Sequence, residues 1–477
     1  MDVLFIGSEA IPYIKTGGLG DVLGALPKAL AKEGVNTAVI LPLYKSVREN
    51  FSNGLEQIAE FGTPLSWRKQ YTGIFKEYRD GVGYYFIDNQ QYFNRDGYYG
   101  YFDDGERFAY FCMAALEAIN YIDFKPQILH LSDWQTALVP VYLKTFYGGR
   151  PDYDCLKTVF TIHNIEYQGK FDLRILGDIF GIDKRFQGLV EYENCINLLK
   201  GAIVACDKLT TVSPEYAWEI QHPFFGRGLD YIIRENSHKL SGILNGIDDN
   251  LFNPKKDKEI FLKYDLKSIE NKKKNKQELQ CCMGLPVDED VFIVAMITRL
   301  THHKGIDLVM SCFDELMGEN IQFVLLAAGD KHYENFFTEK ERAYDDRVAC
   351  LKGFSESLAR KIYAGADIFL MPSISEPCGL AQMIASKYGT ITVVRETGGL
   401  KNTIEAYNPE TGKGNGVTFK QINALDMLGA VRRAIELLDN DEHRMKLITN
   451  AFKSDFSWKK GAKGYIKIYN ELGVGKQ

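Results

Sequence analysis

With 477 residues, 45% of them hydrophobic and 25% charged, the chain is too long for one core and predicts two domains, each able to bury a substantial apolar interior. A formal net charge of −6, with no basic block beyond the run Lys272, Lys273, Lys274, which reads as a solvated helix face, excludes nucleic acid and anionic membrane as expected partners. Nine cysteines without zinc spacing, no apolar run near the roughly 20 residues of a membrane span, and a start without an export or import signal predict a reducing, cytoplasmic setting.

The chain opens on an apolar strand run, Val3 to Ile6, followed by SEAIPYIKTGGLGDV and a helical pattern through Val22, Leu26, Ala29 and Leu30. This predicts strand, glycine-rich turn, helix. Gly17, Gly18 and Gly20 remove side chains that would keep a ligand from the backbone, and the helix N-terminus offers unpaired N–H groups to an anion. Lys15 adds a mobile cation. The spacing fits neither the dinucleotide fingerprint nor the Walker pattern.

Continuous apolar runs recur at Val35 to Leu41, Ile128 to Leu131, Thr158 to Ile162 and Leu209 to Val212. They recur again at Val291 to Ile297, Ile321 to Ala328, Ile368 to Met371 and Ile391 to Val394, with helical patterns such as Met427 to Leu438 between them. Runs of this kind suit strands buried on both faces of parallel sheets, so the fold class is α/β with two doubly wound, Rossmann-like domains. GILNGIDDNLFNP interrupts the periodicity and predicts the join. The expected domains are 1–244, 245–455, and a C-terminal helix over 456–477 that returns to the first domain. Ligands bind beyond the carboxyl ends of parallel strands, so the two sheets are expected to face a shared cleft.

The residues able to do chemistry follow strand exits. His130 and Asp133 follow the third run of the first half and His163 and Asn164 the fourth; Arg299 and Lys304 lie in ITRLTHHKG, two cations suited to a diphosphate. Glu376 lies in PSISEPCGLAQ as a candidate for sugar hydroxyls, and Gly398 and Gly399 open a further helix in RETGGLKNT. The aromatic cluster Tyr92, Phe93, Tyr98, Tyr99, Tyr101 and Phe102 supplies both core and faces for stacking on sugar.

KTGGLGDV, HNIEYQG, NGID, RLTHHKG, IYAGADIFLMPS, EPCGLAQ, TGGL and the closing FSWKKGAKGYIKIY occur in an order that resembles the bacterial glycogen synthases and the similar plant starch synthases, retaining glycosyltransferases of the GT-B fold. The resemblance covers nearly the whole chain. It implies transfer of glucose from ADP-glucose to the nonreducing 4-hydroxyl of an α-1,4-glucan, with release of ADP and with no cofactor and no metal. On this resemblance Lys15, Gly17, Gly18 and Asp21 contact the nucleotide sugar, with Arg299 and Lys304 on its diphosphate. Glu376 grips glucose hydroxyls while Cys378, Gly379 and Leu380 present backbone amides, joined by Thr397 and Gly398. The His163 carbonyl faces the anomeric carbon, Asp133 lies near the acceptor, Asn164, Gln168 and Asn245 contribute from HNIEYQG and NGID, and Phe354 lies against adenine. Three positions depart from the family pattern: Ser375, Asn402 and Ala327.

The resemblance also implies front-face displacement, since no carboxylate stands out as a nucleophile. The alternatives are a related transferase using UDP-glucose or a small acceptor, and a non-catalytic glucan-binding protein. The second should lack the charged residues that remain here.

Overall fold

In the computed structural model, which describes residues 1–474, the chain forms two compact units: 1–246 together with 458–474, and Ile247–Ser457.

The first unit is built on a nine-stranded sheet. Its strands are Asp2–Ile6 (β1), Asn36–Pro42 (β2), Glu56–Leu65 (β3), Arg68–Arg79 (β4), Val82–Asp88 (β5), Ile128–Ser132 (β6) and Lys157–Ile162 (β7), with Lys208–Thr211 and Leu240–Gly242 completing it. Three short strands between β7 and these last two, Lys170–Phe171 (β8), Glu191–Tyr192 (β9) and Cys195–Asn197 (β10), form a separate small sheet, so the final pair are β11 and β12. The large sheet runs β12-β11-β7-β6-β1-β2-β5-β4-β3. It is parallel through β5, and only the β5–β4 and β4–β3 pairings are antiparallel. The doubly wound sheet thus carries an antiparallel extension at one edge that the apolar runs do not predict. The difference has a physical cause: β3 and the start of β4 are half exposed, with polar residues interleaved, and lack the continuous apolar run that marks a strand covered on both faces.

The helix Gly18–Lys32 buries Leu19, Val22, Leu23, Leu26 and Leu30. It packs with the helix Trp458–Glu471, which buries Trp458, Tyr465, Ile468 and Tyr469. His130, at the centre of the sheet on β6, is 2% exposed. Its Nδ1 lies 2.6 Å from the Tyr469 hydroxyl, its Nε2 lies 2.7 Å from Thr161 Oγ1, and its ring stacks on Phe5 at 4.7 Å. Its imidazole is thus a core anchor for the last helix. Tyr92 and Phe93 are likewise core.

The second unit holds six parallel strands, Phe292–Leu300 (β13), Ile321–Gly329 (β14), Val348–Lys352 (β15), Ile368–Met371 (β16), Ile391–Arg395 (β17) and Val417–Phe419 (β18), in the order β15-β14-β13-β16-β17-β18. Val294, Phe323, Ile368 and Val393 join Met427 and Val431 of the helix Ala424–Asp439 in one core. The segment that opens this unit is stitched to it. Asp257 is buried against Arg360 at 3.3 Å and also takes the Tyr388 hydroxyl. Lys272 departs from the expected solvated face: its ammonium is buried and bonds Ala364 O at 2.9 Å and Thr390 Oγ1 at 2.7 Å, and burial pushes its pKa down to about 7. Lys273 and Lys274 are exposed. Among the described residues no helix is long and apolar enough to cross a membrane.

Candidate active site

Both sheets reverse their strand order once, between β1 and β6 in the first and between β13 and β16 in the second. Loops leaving the carboxyl ends of strands on either side of such a switch point diverge and leave a crevice for a ligand. Many of the sequence-predicted residues fall on these loops, and others on the loops that leave the carboxyl ends of further strands. Lys15, Gly17 and Gly18 follow β1, Asp133 follows β6, and His163, Asn164 and Gln168 follow β7. In the second unit Arg299 ends β13 and Lys304 follows it, Phe354 follows β15, Glu376 and Cys378–Leu380 follow β16, and Thr397 and Gly398 follow β17.

In the first unit the KTGGL turn is open outward. A Cβ placed on Gly17 or Gly18 would meet nothing within 4 Å, whereas one on Gly24 would lie 2.8 Å from the Ile11 carbonyl oxygen. Gly24 is thus required by packing inside the unit, while the freedom at Gly17 and Gly18 is space on the outer side of the turn. The Lys15 ammonium is half exposed and paired with Asp21 at 2.7 Å. The inner side of the turn is held by a residue that sequence reasoning missed, Glu9, which is 4% exposed. Its carboxylate accepts from Thr16 N and Thr16 Oγ1, both at 2.6 Å, from Gly17 N at 3.3 Å and from the Tyr99 hydroxyl at 2.7 Å. The Gly17 amide, expected to face a diphosphate, is therefore directed inward. Only a short polar run, SEA, marked Glu9 in the sequence.

Asp133 has φ 55° and ψ −177°, a conformation costing a non-glycine residue about 1–3 kcal/mol. The strain aims its carboxylate at the next loop, where Oδ1 accepts from His163 N at 2.7 Å and Asn164 N at 3.4 Å. Burial pushes the Asp133 carboxyl up to about 7 against those two bonds, helped by the charge of Glu9. Burial holds the His163 imidazole down at about 3, so it is neutral at physiological pH and offers no proton. Asn164 Oδ1 accepts from Glu166 N at 3.0 Å. Gln168, expected to contact a ligand, lies at a groove and also braces the loop: its amide nitrogen donates to Ile165 O and Arg227 O, and its oxygen accepts from Asn197 Nδ2 at 2.8 Å. Beside it lies a groove of about 530 Å³ bordered by the aromatic rings of Tyr101, Trp134, Tyr167 and Phe171 and by Glu166 and Arg227, which pair at 2.9 Å. Asn245 is buried at the end of this unit, with its side-chain oxygen unmatched by any donor among the described residues.

In the second unit Lys304 and Glu376, assigned from sequence to different parts of a ligand, meet across the switch point. The Lys304 ammonium lies 2.6 Å from Glu376 Oε2, with the two side chains 16% and 8% exposed. The Ser373 hydroxyl donates to the same oxygen at 3.0 Å. The loop beneath them is fixed by Arg395, a second residue missed in the sequence, whose guanidinium donates to Ser373 O at 2.8 Å and Ile374 O at 2.5 Å. It sits at the end of an apolar run, where it reads as a strand terminus. Gly398 has φ +43°, and side chains at Gly398 and Gly399 would collide with the backbone of Glu376 and Cys378. These glycines serve close packing of the TGGL and EPCGL turns, unlike the pair at Gly17 and Gly18. Gly379, with φ +69°, lies against the Gln382 amide, which bonds Cys378 O and Gly379 O. Arg299 is exposed, and Phe354 is 70% exposed on a turn tied by the Gly353 amide to the carbonyl of Ala327.

Residues 2–235 match the family model described as starch synthase catalytic domain, and 284–454 match that of glycosyl transferases group 1. Glycogen synthase of Bacillus cereus strain Q1 is 47% identical over 99% of this chain and 100% of its own, and that of Anoxybacillus flavithermus 46% identical over 100% and 99%. Among solved structures, the catalytic domain of starch synthase IV from Arabidopsis thaliana, bound to ADP and acarbose, superposes with a TM-score of 0.91 at 33% identity, covering 98% of this chain and 99% of that one. Sucrose-phosphate synthase from Thermosynechococcus elongatus, at 16% identity and a TM-score of 0.63, shares the fold. With its two α/β units, its switch-point loops and these full-length matches, the chain belongs to the glycogen synthase family of GT-B glycosyltransferases.

Proposed function

We propose that this protein transfers glucose from ADP-glucose to the nonreducing 4-hydroxyl of an α-1,4-glucan, retaining the α configuration and releasing ADP, in the cytoplasm. The observation that carries the reading is the pair of Lys304 with the buried Glu376 at the switch point of the second sheet. A cation and a carboxylate sharing one crevice suit a ligand with an anionic part and a neutral hydroxylated part. Lys304 and Ser373 both engage Oε2 of Glu376, so Oε1 is the oxygen for glucose hydroxyls.

ADP leaves once its developing charge is held, and Lys15, Arg299 and Lys304 provide that charge without a metal. The acceptor hydroxyl forms its bond to the anomeric carbon on the face from which the phosphate oxygen departs, and its proton passes to that oxygen. The His163 carbonyl stabilises the positive charge on the sugar. Asp133 acts through its bonds to the His163 and Asn164 amides, setting that carbonyl's place. The groove beside Gln168 takes the glucan, whose apolar faces suit the rings of Tyr101, Trp134, Tyr167 and Phe171. Phe354 covers adenine.

Supplying ADP-glucose and UDP-glucose in competition, with glycogen as acceptor and EDTA present, tests the reading. Incorporation is expected from ADP-glucose. Preference for UDP-glucose, or a requirement for divalent metal, would refute it.

A further inference from the structure

Glu9 has no place in the mechanism above, yet it is the most heavily bonded carboxylate at the switch point of the first sheet. It is buried, and its carboxylate bonds to two loops at once. Oε2 accepts from the amides of Thr16 and Gly17, Oε1 accepts from the Thr16 hydroxyl, and Oε1 also takes the hydroxyl of Tyr99. Thr16 and Gly17 belong to the turn that carries Lys15. Tyr99 belongs to the aromatic loop that carries Tyr101, one border of the groove. The Tyr99 hydroxyl is also 2.8 Å from Ser8 Oγ, and burial keeps that phenol protonated, so it stays a donor to the carboxylate. A Cβ at Gly17 would have open space around it, so packing on the turn's outer side does not hold it. The hydrogen bonds from the inner side do.

We propose that Glu9 is a positioning residue that couples the two substrates: through one buried carboxylate, the Tyr99 loop on the glucan side fixes the Lys15 turn on the donor side. This rests on the donor and acceptor assignments under Proposed function. A carboxylate suits the task because it offers only acceptors, matching three protein donors on one side and a phenol on the other. Glutamine keeps only one acceptor oxygen: with that oxygen on the amides of Thr16 and Gly17, its NH₂ group faces the hydroxyls of Thr16 and Tyr99, which must turn from donors into acceptors.

Tyr99→Phe removes one hydroxyl from the aromatic loop and touches nothing in the Lys15 turn. Amide hydrogen exchange at Thr16 and Gly17, read by NMR or by fragment mass spectrometry on the full chain, should accelerate about tenfold, as expected for loss of one charge-assisted bond. The KM for ADP-glucose should rise severalfold while the melting temperature moves little. Glu9→Gln should do both more strongly, and the double variant should be no worse than Glu9→Gln alone. Unchanged exchange at Thr16 and Gly17 in Tyr99→Phe overturns the coupling, as does a Glu9→Gln protein that melts earlier but keeps its KM for ADP-glucose. Should Glu9→Gln fail to fold, Tyr99→Phe alone decides. If the unaltered protein transfers no glucose, the functional reading fails while the exchange measurement still judges the strap.

Discussion

Replacing Glu376 by glutamine separates the roles that the Lys304–Glu376 pair combines. The amide keeps the shape of the carboxylate and can still accept from Lys304 and Ser373, so the lysine is not stranded and the stability change should stay under about 2 kcal/mol. Removing the lysine instead, in Lys304→Ala, leaves a carboxylate 8% exposed without its partner, at a cost of about 3–5 kcal/mol. For turnover, a charge-assisted hydrogen bond to a sugar hydroxyl contributes about 1.5–3 kcal/mol, and about 1.4 kcal/mol is tenfold in rate. Glu376→Gln should therefore lose about ten- to a hundredfold in kcat. ADP lacks the glucose, and losing the carboxylate frees the Lys304 ammonium from competition, so ADP should bind as well as before or more tightly. Steady-state kinetics on glycogen with titration calorimetry of ADP measures both. A fall in ADP affinity in proportion to the fall in rate would show that Glu376 supports the nucleotide loop, and the sugar assignment would be lost.

Lys15→Ala removes an exposed ion pair worth at most about 1 kcal/mol, so its melting temperature should hardly move, while turnover falls about a hundredfold or more; intact activity would remove Lys15 from the mechanism. Arg395→Ala should cost about 3 kcal/mol and activity together, since the Ser373 and Ile374 carbonyls lose a buried cation; loss of one without the other contradicts its role as a strut. His130 and His163 are held near 3, so each makes stability fall as pH drops below about 6.5, whereas the raised Asp133 makes stability fall as pH rises from about 4 to 7. Asp133→Asn deletes the opposing contribution, so denaturant titrations should show its stability dropping faster on acidification than the parent's, by about 1.4 kcal/mol per pH unit between about 6.5 and 4. Parallel curves would mean that Asp133 titrates normally. Truncation before residue 458 should expose Tyr465 and Tyr469 contact surface and unpair His130, lowering the thermal midpoint; an unchanged midpoint would refute the packing role of that helix.

The parts of the fold legible in the sequence were those whose burial is uniform. The runs that became β1, β2, β6, β7, β13, β14, β16 and β17 are covered on both faces, so their apolar character needs no partner to be recognised. The β3–β4 ribbon and the two-residue β8 and β9 depend on cross-strand pairing, which no local pattern encodes. At the site, cations and glycines at strand exits were visible because their chemistry is unusual where they stand. Glu9, Arg395 and the bracing role of Gln168 were not, because a buried polar residue is identified by what it bonds to, and those partners lie up to 90 residues away, as Tyr99 does from Glu9. His130 misled for the same reason: a histidine at a strand exit looks available until a tyrosine 339 residues later occupies its ring nitrogen.

That last distance has a consequence for how the protein is made. The first unit begins at residue 1 and is completed only by the helix Trp458–Glu471, so the sheet carrying Lys15, Asp133 and His163 emerges from the ribosome with its His130 side uncovered. At about 5–20 residues per second, the 339 residues separating His130 from Tyr469 take roughly 20–70 s to synthesise. During that interval the second unit is produced whole and is free to fold, while the half that was translated first still shows an apolar face around Phe5 and His130. The order of synthesis and the order of completion are thus reversed: the half that is made first is the last to close its core.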